Sequence, residues 1–291
     1  MSVVVLIALL IGGRLLYLLP AQLDIRQIGP GLPDVAQFEA LRRTANGPVS
    51  VSAIRTSSQE SEVLSLGHHT VVIEWADGRL MLIDAGMDAA AARDFGRLME
   101  WLYGAQPAEV HTTAVRELGD RLQDVAAIGF THLHIDHTQG AVALCANNPR
   151  MKVVQTNLQR TTHNVNTTEG AAIVAGCRQA DAIDADTLTE LADFPGVGIY
   201  SLGGHTPGST LFAVAVEERI LLFSGDITNS KTDLVEDTGK GFAYSYLVVP
   251  ENTDRTAELR LWLHGLDQTD HMSVYVSHDI GDMEGLAPFR G

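Results

Sequence analysis

The sequence predicts an α/β (α+β) fold, and three observations carry the prediction: two β-rich blocks, helical stretches separating them, and ligand-type side chains recurring just past strand ends. Val3 to Leu19 is almost entirely apolar, with Arg14 its only charge, and reaches the lower end of a membrane-spanning length. A cleaved signal peptide would want basic residues before Val3 and a small-residue site near Leu18-Leu-Pro-Ala21, and neither is present. A buried core helix fits poorly with so N-terminal a position, so a single membrane anchor is the expectation for residues 1–23, with a signal segment and export the alternative and the side of the membrane unassigned. Residues 24–48 hold Gly29-Pro-Gly-Leu-Pro33 and an amphipathic stretch from Asp34 to Arg43, read as a linker with a short helix. From residue 49 to 291 a single catalytic-sized domain is expected, within the usual size range.

Within that domain the first elements read as strands, Val49–Arg55, Thr70–Trp75 and Arg79–Ile83, then as helices, Ala89–Tyr103 and Ala108–Leu122. Asp124 to Phe130 is a short apolar run that reads as a buried strand, and Thr138 to Ala146 reads as a helix. Strands follow across Ile199–Ser224, then a helix at Thr253–Leu266 with its apolar residues packed inward, and a last strand ending near Ser277.

Between the Asp124–Phe130 strand and the next helix lies Thr131-His132-Leu133-His134-Ile135-Asp136-His137. On this chain's own composition such a run arises by chance in about one chain in a thousand of this length, so a His-rich turn is a poor account of it. Histidine is the commonest metal ligand, and in a core it usually stands alone. Residues two apart in extended chain point the same way, so His132 and His134 can share one metal. Asp136 and His137 sit at the turn into the helix and point elsewhere, which suggests a second metal. Further ligands are then required downstream. His205 stands in the Gly/Pro turn Gly203-Gly-His205-Thr-Pro-Gly208, Asp226 ends an apolar strand, and His278 ends the last one. Each alone reads as an ordinary polar cap; their shared place just past a strand sets them apart.

The order H-x-H-x-D-H, G-H-T-P-G-S, S-G-D and a strand-final His resembles the metallo-β-lactamase-fold hydrolase superfamily, and Leu82-Ile-Asp84-Ala-Gly86 is similar to its early strand-Asp-x-Gly element. The resemblance implies a four-layer αββα sandwich. It also implies a first metal on His132, His134 and His205, a second on Asp136, His137 and His278, Asp226 bridging both, and Asp84 orienting a ligand from behind. Imidazoles and carboxylates without thiolate suit zinc, with iron or manganese as alternatives. Members with redox di-iron centres typically carry Glu where this chain has His134, which favours two Zn2+. The implied chemistry is hydrolysis by a metal-bridging hydroxide, with Asp136 the catalytic residue that orients it and shuttles a proton. No Gly-x-Ser-x-Gly element supports a serine nucleophile.

The substrate class is narrower by exclusion. True β-lactamases of this superfamily lack a bridging Asp, so Asp226 points to lactonase-like, thioesterase-like or phosphodiesterase-like members. A formal net charge of -16 disfavours nucleic acid. A glyoxalase II-like member would want a basic C-terminal extension, whereas this chain ends shortly after His278. Lactonases often place Tyr three residues past the bridging Asp, a position held here by Asn229, with Tyr244 and Tyr246 in the following loop. The expectation is a small ester-like substrate, a lactone or thioester; phosphodiesterase-like and β-lactamase-like hydrolysis and a di-iron redox protein are the alternatives. The loop Ser230–Pro250, with Lys231, Lys240 and Phe242, is a candidate lid. His68 and His69 are read as loop residues bordering the site; His111, His163, His264 and His271 are assigned no role. Cys145 and Cys177 are read as small buried residues that leave the redox compartment open. The oligomeric state is not legible.

Overall fold

In the computed structural model, which describes residues 3–62 and 65–290, strand alternation builds three apolar layers. The larger sheet contains β1 (Ser50–Glu60), β2 (Ser65–Glu74), β3 (Leu80–Ile83), β4 (Glu109–Val110), β5 (Val125–Gly129), β6 (Lys152–Val154), β7 (Arg178–Gln179) and, from the C-terminus, β13 (Ala287–Pro288). Its order is β13-β1-β2-β3-β5-β6-β7, with β4 paired to β1. The smaller sheet holds β8 (Thr189–Glu190), β9 (Val197–Ser201), β10 (Thr210–Val216), β11 (Arg219–Phe223) and β12 (Met272–Tyr275), in the order β12-β11-β10-β9-β8.

Successive side chains on a strand face opposite ways. On β3, Met81 and Ile83 enter the layer between the sheets, while Leu80 and Leu82 face the helices outside. On β10, Phe212 and Val214 meet them from the other sheet, while Leu211 and Ala213 face the outer helices of the second half. Both faces of these strands are covered, which is why they read as continuous apolar runs. Helices thus lie outside each sheet, the αββα sandwich expected.

The helices sharpen the sequence reading. α1 (Val3–Ile25) is long and apolar enough to cross a membrane and is mostly exposed. α2 (Val35–Arg42) starts on an Asp34–Gln37 capping box and buries Phe38 and Leu41 against the second sheet. The segment before it is fixed too: Tyr200 Oη donates to Pro30 O and Trp262 Nε1 to Pro33 O. α3 (Ala89–Tyr103) has the predicted bounds, capped by Asp88 and ended by Gly104.

Four expectations are corrected. The helix expected over Ala108–Leu122 is broken: Glu109–Val110 pairs with β1, Thr113 caps a short helix Ala114–Leu118, and a 3-10 turn continues over Gly119–Asp124. The helix expected over Thr138–Ala146 is two pieces, Ile135–Thr138 and Ala141–Asn147, so Asp136 and His137 lie inside helix. His68 and His69 are in β2, not a loop; β1 runs far enough to pair with both, and cover on that strand allows polar residues inside. Cys145 and Cys177 are joined in a disulfide that spans 32 residues.

Candidate metal centre

Loops at the ends of β3, β5, β9, β11 and β12 converge at one edge of the sandwich. β3 ends in Asp84, which adopts a positive φ of 59°. Its carboxylate accepts from the Thr131 amide at 2.8 Å and the Thr131 hydroxyl at 2.8 Å, and from His137 Nδ1 at 2.9 Å. One buried acid therefore holds both the start of the His-rich loop and one of its rings.

Two glycines make the approach of the later donors possible. Gly204 (φ +80) precedes His205, and Gly225 (φ +63) precedes Asp226. A Cβ on Gly225 would meet Thr131 Cβ at 2.8 Å, so any other residue there would push the two loops apart.

All seven residues expected as ligands come together, and all are buried. His132 Nε2 and His205 Nε2 lie 3.0 and 3.3 Å from His134 Nδ1. Those separations match the edge of a tetrahedron of nitrogens about 2.0–2.1 Å from a zinc ion, roughly 3.3 Å. Around the neighbouring point, His278 Nε2 is 3.4 Å from Asp136 Oδ2 and 3.0 Å from Asp226 Oδ2. His137 Nε2 is 3.4 Å from Asp136 Oδ2 and 3.4 Å from Asp226 Oδ1. Asp226 Oδ2 also lies 3.9 Å from His132 Nε2 and 3.8 Å from His205 Nε2, so this carboxylate faces both groups. Donor triads with metal-holding separations are His132–His134–His205, His132–His137–Asp226 and His68–Asp136–His278.

The rings are aimed by what they touch on the far side. Glu251 lies 2.6 Å from His205 Nδ1, the Gly67 carbonyl 2.9 Å from His278 Nδ1, and Asp84 takes His137 Nδ1. With Nδ1–H donating outward, the form a bound metal selects, each ring would turn its Nε2 lone pair to the centre. Inside, His137 Nε2 and Asp226 Oδ1 are buried with no hydrogen-bond partner among the described residues. Such orphaned atoms cost stability unless something takes them.

Charge makes the same demand. Burial, with His137 beside it, holds His132 well below the ordinary imidazole range; burial with His205 pushes His134 down to about 3. Burial works the same way on His137, but Asp136, Asp84 and Asp226 outweigh it and hold its ring well above the usual range. Burial raises the Asp226 carboxyl, yet His278 and Lys240 overcome it and keep the group strongly acidic. The carboxylates call for positive charge at this point, and bound cations supply it. The buried His/Asp clusters fit a dinuclear metal site.

Sequence reasoning missed Glu251, and it set His68 at the border of the site rather than among its donors. Glu251 follows Pro250 in a stretch with no ligand pattern, and only its contact with His205 reveals it. His68 Nδ1 lies 3.6 Å from Asp136 Oδ2, its ring edge-on to His278 at 5.0 Å. Lys240 is buried 3.8 Å from both Asp226 Oδ2 and Glu251 Oε1. Tyr244, one of the two loop tyrosines weighed for the site, lies parallel to the His205 ring at 6.5 Å. The expected lid loop is partly helical, with turns at Lys231–Val235 and Tyr244–Val248. A cavity of about 480 Å³ rises from Asp136, Asp226 and His278 between this loop and α3.

In keeping with this fold and this donor set, the chain belongs to the metallo-beta-lactamase superfamily, whose sequence profile matches residues 65–282. It is a metal-dependent hydrolase of that fold. A solved N-acyl homoserine lactone hydrolase with N-hexanoyl-L-homoserine at its catalytic metal centre superposes with a TM-score of 0.63 at 16% identity, covering 84% of this chain and 98% of its own. An AiiA variant of B. thuringiensis with N-decanoyl-L-homoserine in its active site gives the same TM-score of 0.63, 16% identity and coverages of 84% and 98%. AidC, a dizinc quorum-quenching lactonase, gives 0.55 at 14% identity, with coverages of 82% and 90%. Among curated proteins none matches the chain in sequence.

Proposed function

We propose that this protein is a dinuclear zinc hydrolase of a small ester-like bond, a lactone or thioester, tethered to a membrane by α1. The observation that carries the reading is Asp226, whose carboxylate faces both donor groups and thereby supports two ions sharing one ligand. His132, His134 and His205 would hold one ion, and Asp136, His137 and His278 the other. When bound, two such cations acidify a water and polarise a carbonyl.

The chain's own residues do the rest. Asp136 Oδ2 sits 3.4 Å from both His137 Nε2 and His278 Nε2, where it can orient the attacking water and carry its proton to the leaving oxygen. Asp84 and Glu251 fix His137 and His205 so that the donors need little rearrangement. Tyr244 lines the cavity beside His205, and burial raises its phenol well above the ordinary range, so it stays a hydrogen-bond donor for a substrate oxygen. Lys240, close to Asp226 and Glu251, adds a cation near the carboxylate a lactone releases.

The test is a panel of lactones, thioesters, phosphodiesters and β-lactams, with metal content measured on protein purified without added metal. Near two equivalents of zinc and turnover of lactones or thioesters is the expected result. A metal-free protein, or an iron absorption band, would overturn the dizinc assignment; turnover confined to phosphodiesters or β-lactams would overturn the substrate class.

A further inference from the structure

The apolar helix α1 does not stand apart from the site; it is seated on the wall of the cavity. Arg14 Nε donates to Leu247 O at 2.8 Å and Gln22 Nε2 to Ser245 O at 2.6 Å, both carbonyls in the Tyr244–Val248 turn. From that turn Tyr244 and Val248 line the cavity. One turn of chain separates the helix from the substrate space.

The opposite wall is α3, through Phe95, Leu98, Met99 and Tyr103. Apolar side chains of the same helix end face solvent: Trp101 is 80% exposed and Leu98 44% exposed. Next to the Tyr244 turn, Phe242 is 63% exposed and stacks on Tyr246 at 4.8 Å. A soluble protein seldom leaves such residues uncovered on the same two segments that wall a cavity. Exposed Trp beside aliphatic residues, with Arg14 on the adjoining helix and Arg26 just past its end, is the composition of a membrane interface.

Distance agrees with that occupant. Ahead of Arg14, Val3 to Gly13 rises about 16 Å at 1.5 Å per residue, roughly half of a hydrocarbon core about 30 Å thick. With α1 docked as it is, a bilayer that took Val3–Gly13 into one leaflet and left Arg14 at its surface would bring the cavity mouth to headgroup level.

We infer that the cavity opens onto the lipid surface and takes an amphiphile from the leaflet, its apolar chain between α3 and the Tyr244–Val248 turn and its ester over the Asp136/Asp226 floor. This rests on the hydrolase reading for its chemistry: water adds across the acyl C–O bond, the acyl carbon gaining the hydroxyl and the leaving oxygen the proton. The contact with lipid is independent of that chemistry.

The test uses the full chain in phosphatidylcholine vesicles with and without brominated acyl chains. Bromine quenches nearby tryptophan, and of the other tryptophans Trp75 is buried and Trp262 is tied to Pro33 O. Quenching is expected in the wild type and largely lost in Trp101→Phe. Equal quenching in both proteins overturns the inference, because the rim then lies off the bilayer and covers something else. In the same vesicles, kcat/KM for γ-lactones of increasing alkyl length is expected to rise about threefold to fourfold per methylene until the cavity is full. A flat profile overturns the inference and leaves the hydrolase reading standing. No turnover of any member by fully metallated protein, with Trp101 quenched, overturns the hydrolase reading and keeps the lipid contact.

Discussion

The floor of the cavity and its mouth are built on opposite principles. On the floor His132, His137, His205 and His278 each have a partner on the far side: Thr131, Asp84, Glu251 and the Gly67 carbonyl. Toward the mouth, Leu98 lines the cavity half-exposed, and Trp101 on α3 and Phe242 beside the Tyr244 turn face solvent. A floor so determined fixes the reaction class, and a mouth so open sets what reaches it. The difference separates what can be changed without losing chemistry from what cannot.

The largest break falls on the floor. His132→Ala removes a donor near both ion positions and is expected to lower kcat/KM by about a thousandfold or more, with loss of bound zinc, read by metal analysis beside kinetics. Unchanged activity would sink the two-ion reading. Behind the floor, Cys145→Ser opens the disulfide that ties the Ala141–Asn147 helix to the chain before β7, and is expected to cost about 2–4 kcal/mol in denaturant unfolding. Glu251→Gln keeps the shape but weakens the hold on His205, for an expected loss of about 10–100-fold in metal affinity by chelator competition. At the mouth, Leu98→Ala should leave zinc content intact and raise KM for long-chain substrates only severalfold. A Leu98→Ala effect as large as that of His132→Ala would erase the distinction.

A pH response lies under the floor, apart from the chemistry. Burial lowers His69 from 6.5 to about 4. Unfolded, this ring takes a proton below about pH 6.5, whereas folded it does not until about pH 4. Its contribution to stability is present above pH 6.5 and lost as pH falls through that window. His69→Gln should flatten the fall in unfolding free energy measured between these limits.

The floor was legible because its donors sit at strand ends, where a tight loop must place them. His132, His134, Asp136 and His137 are close in sequence, and His205, Asp226 and His278 each close an apolar strand. The sandwich was legible for a related reason, since strands covered on both faces carry continuous apolar runs. Long-range contacts left no such mark. Nothing near Glu251 announces that it faces His205 across 46 residues, and the Cys145–Cys177 pairing needed the helix packing that brings the two together. The broken helix before β5 was hidden because Thr113 and Gly119 cap short turns within a stretch of helix-forming residues. The seating of α1 on the Tyr244–Val248 turn was hidden too, because an apolar segment of that length reads the same whether it docks or stands free.

The disulfide bears on how the centre acquires its metal. Cys145 and Cys177 are the only cysteines in the chain, so once they are joined no thiolate is left to compete for an incoming ion. The floor itself then offers only imidazole and carboxylate donors. Soft ions such as Cu(I), which favour thiolate, find none beside it. The bond between the Ala141–Asn147 helix and the chain before β7 thereby leaves the floor to ions that prefer nitrogen and oxygen.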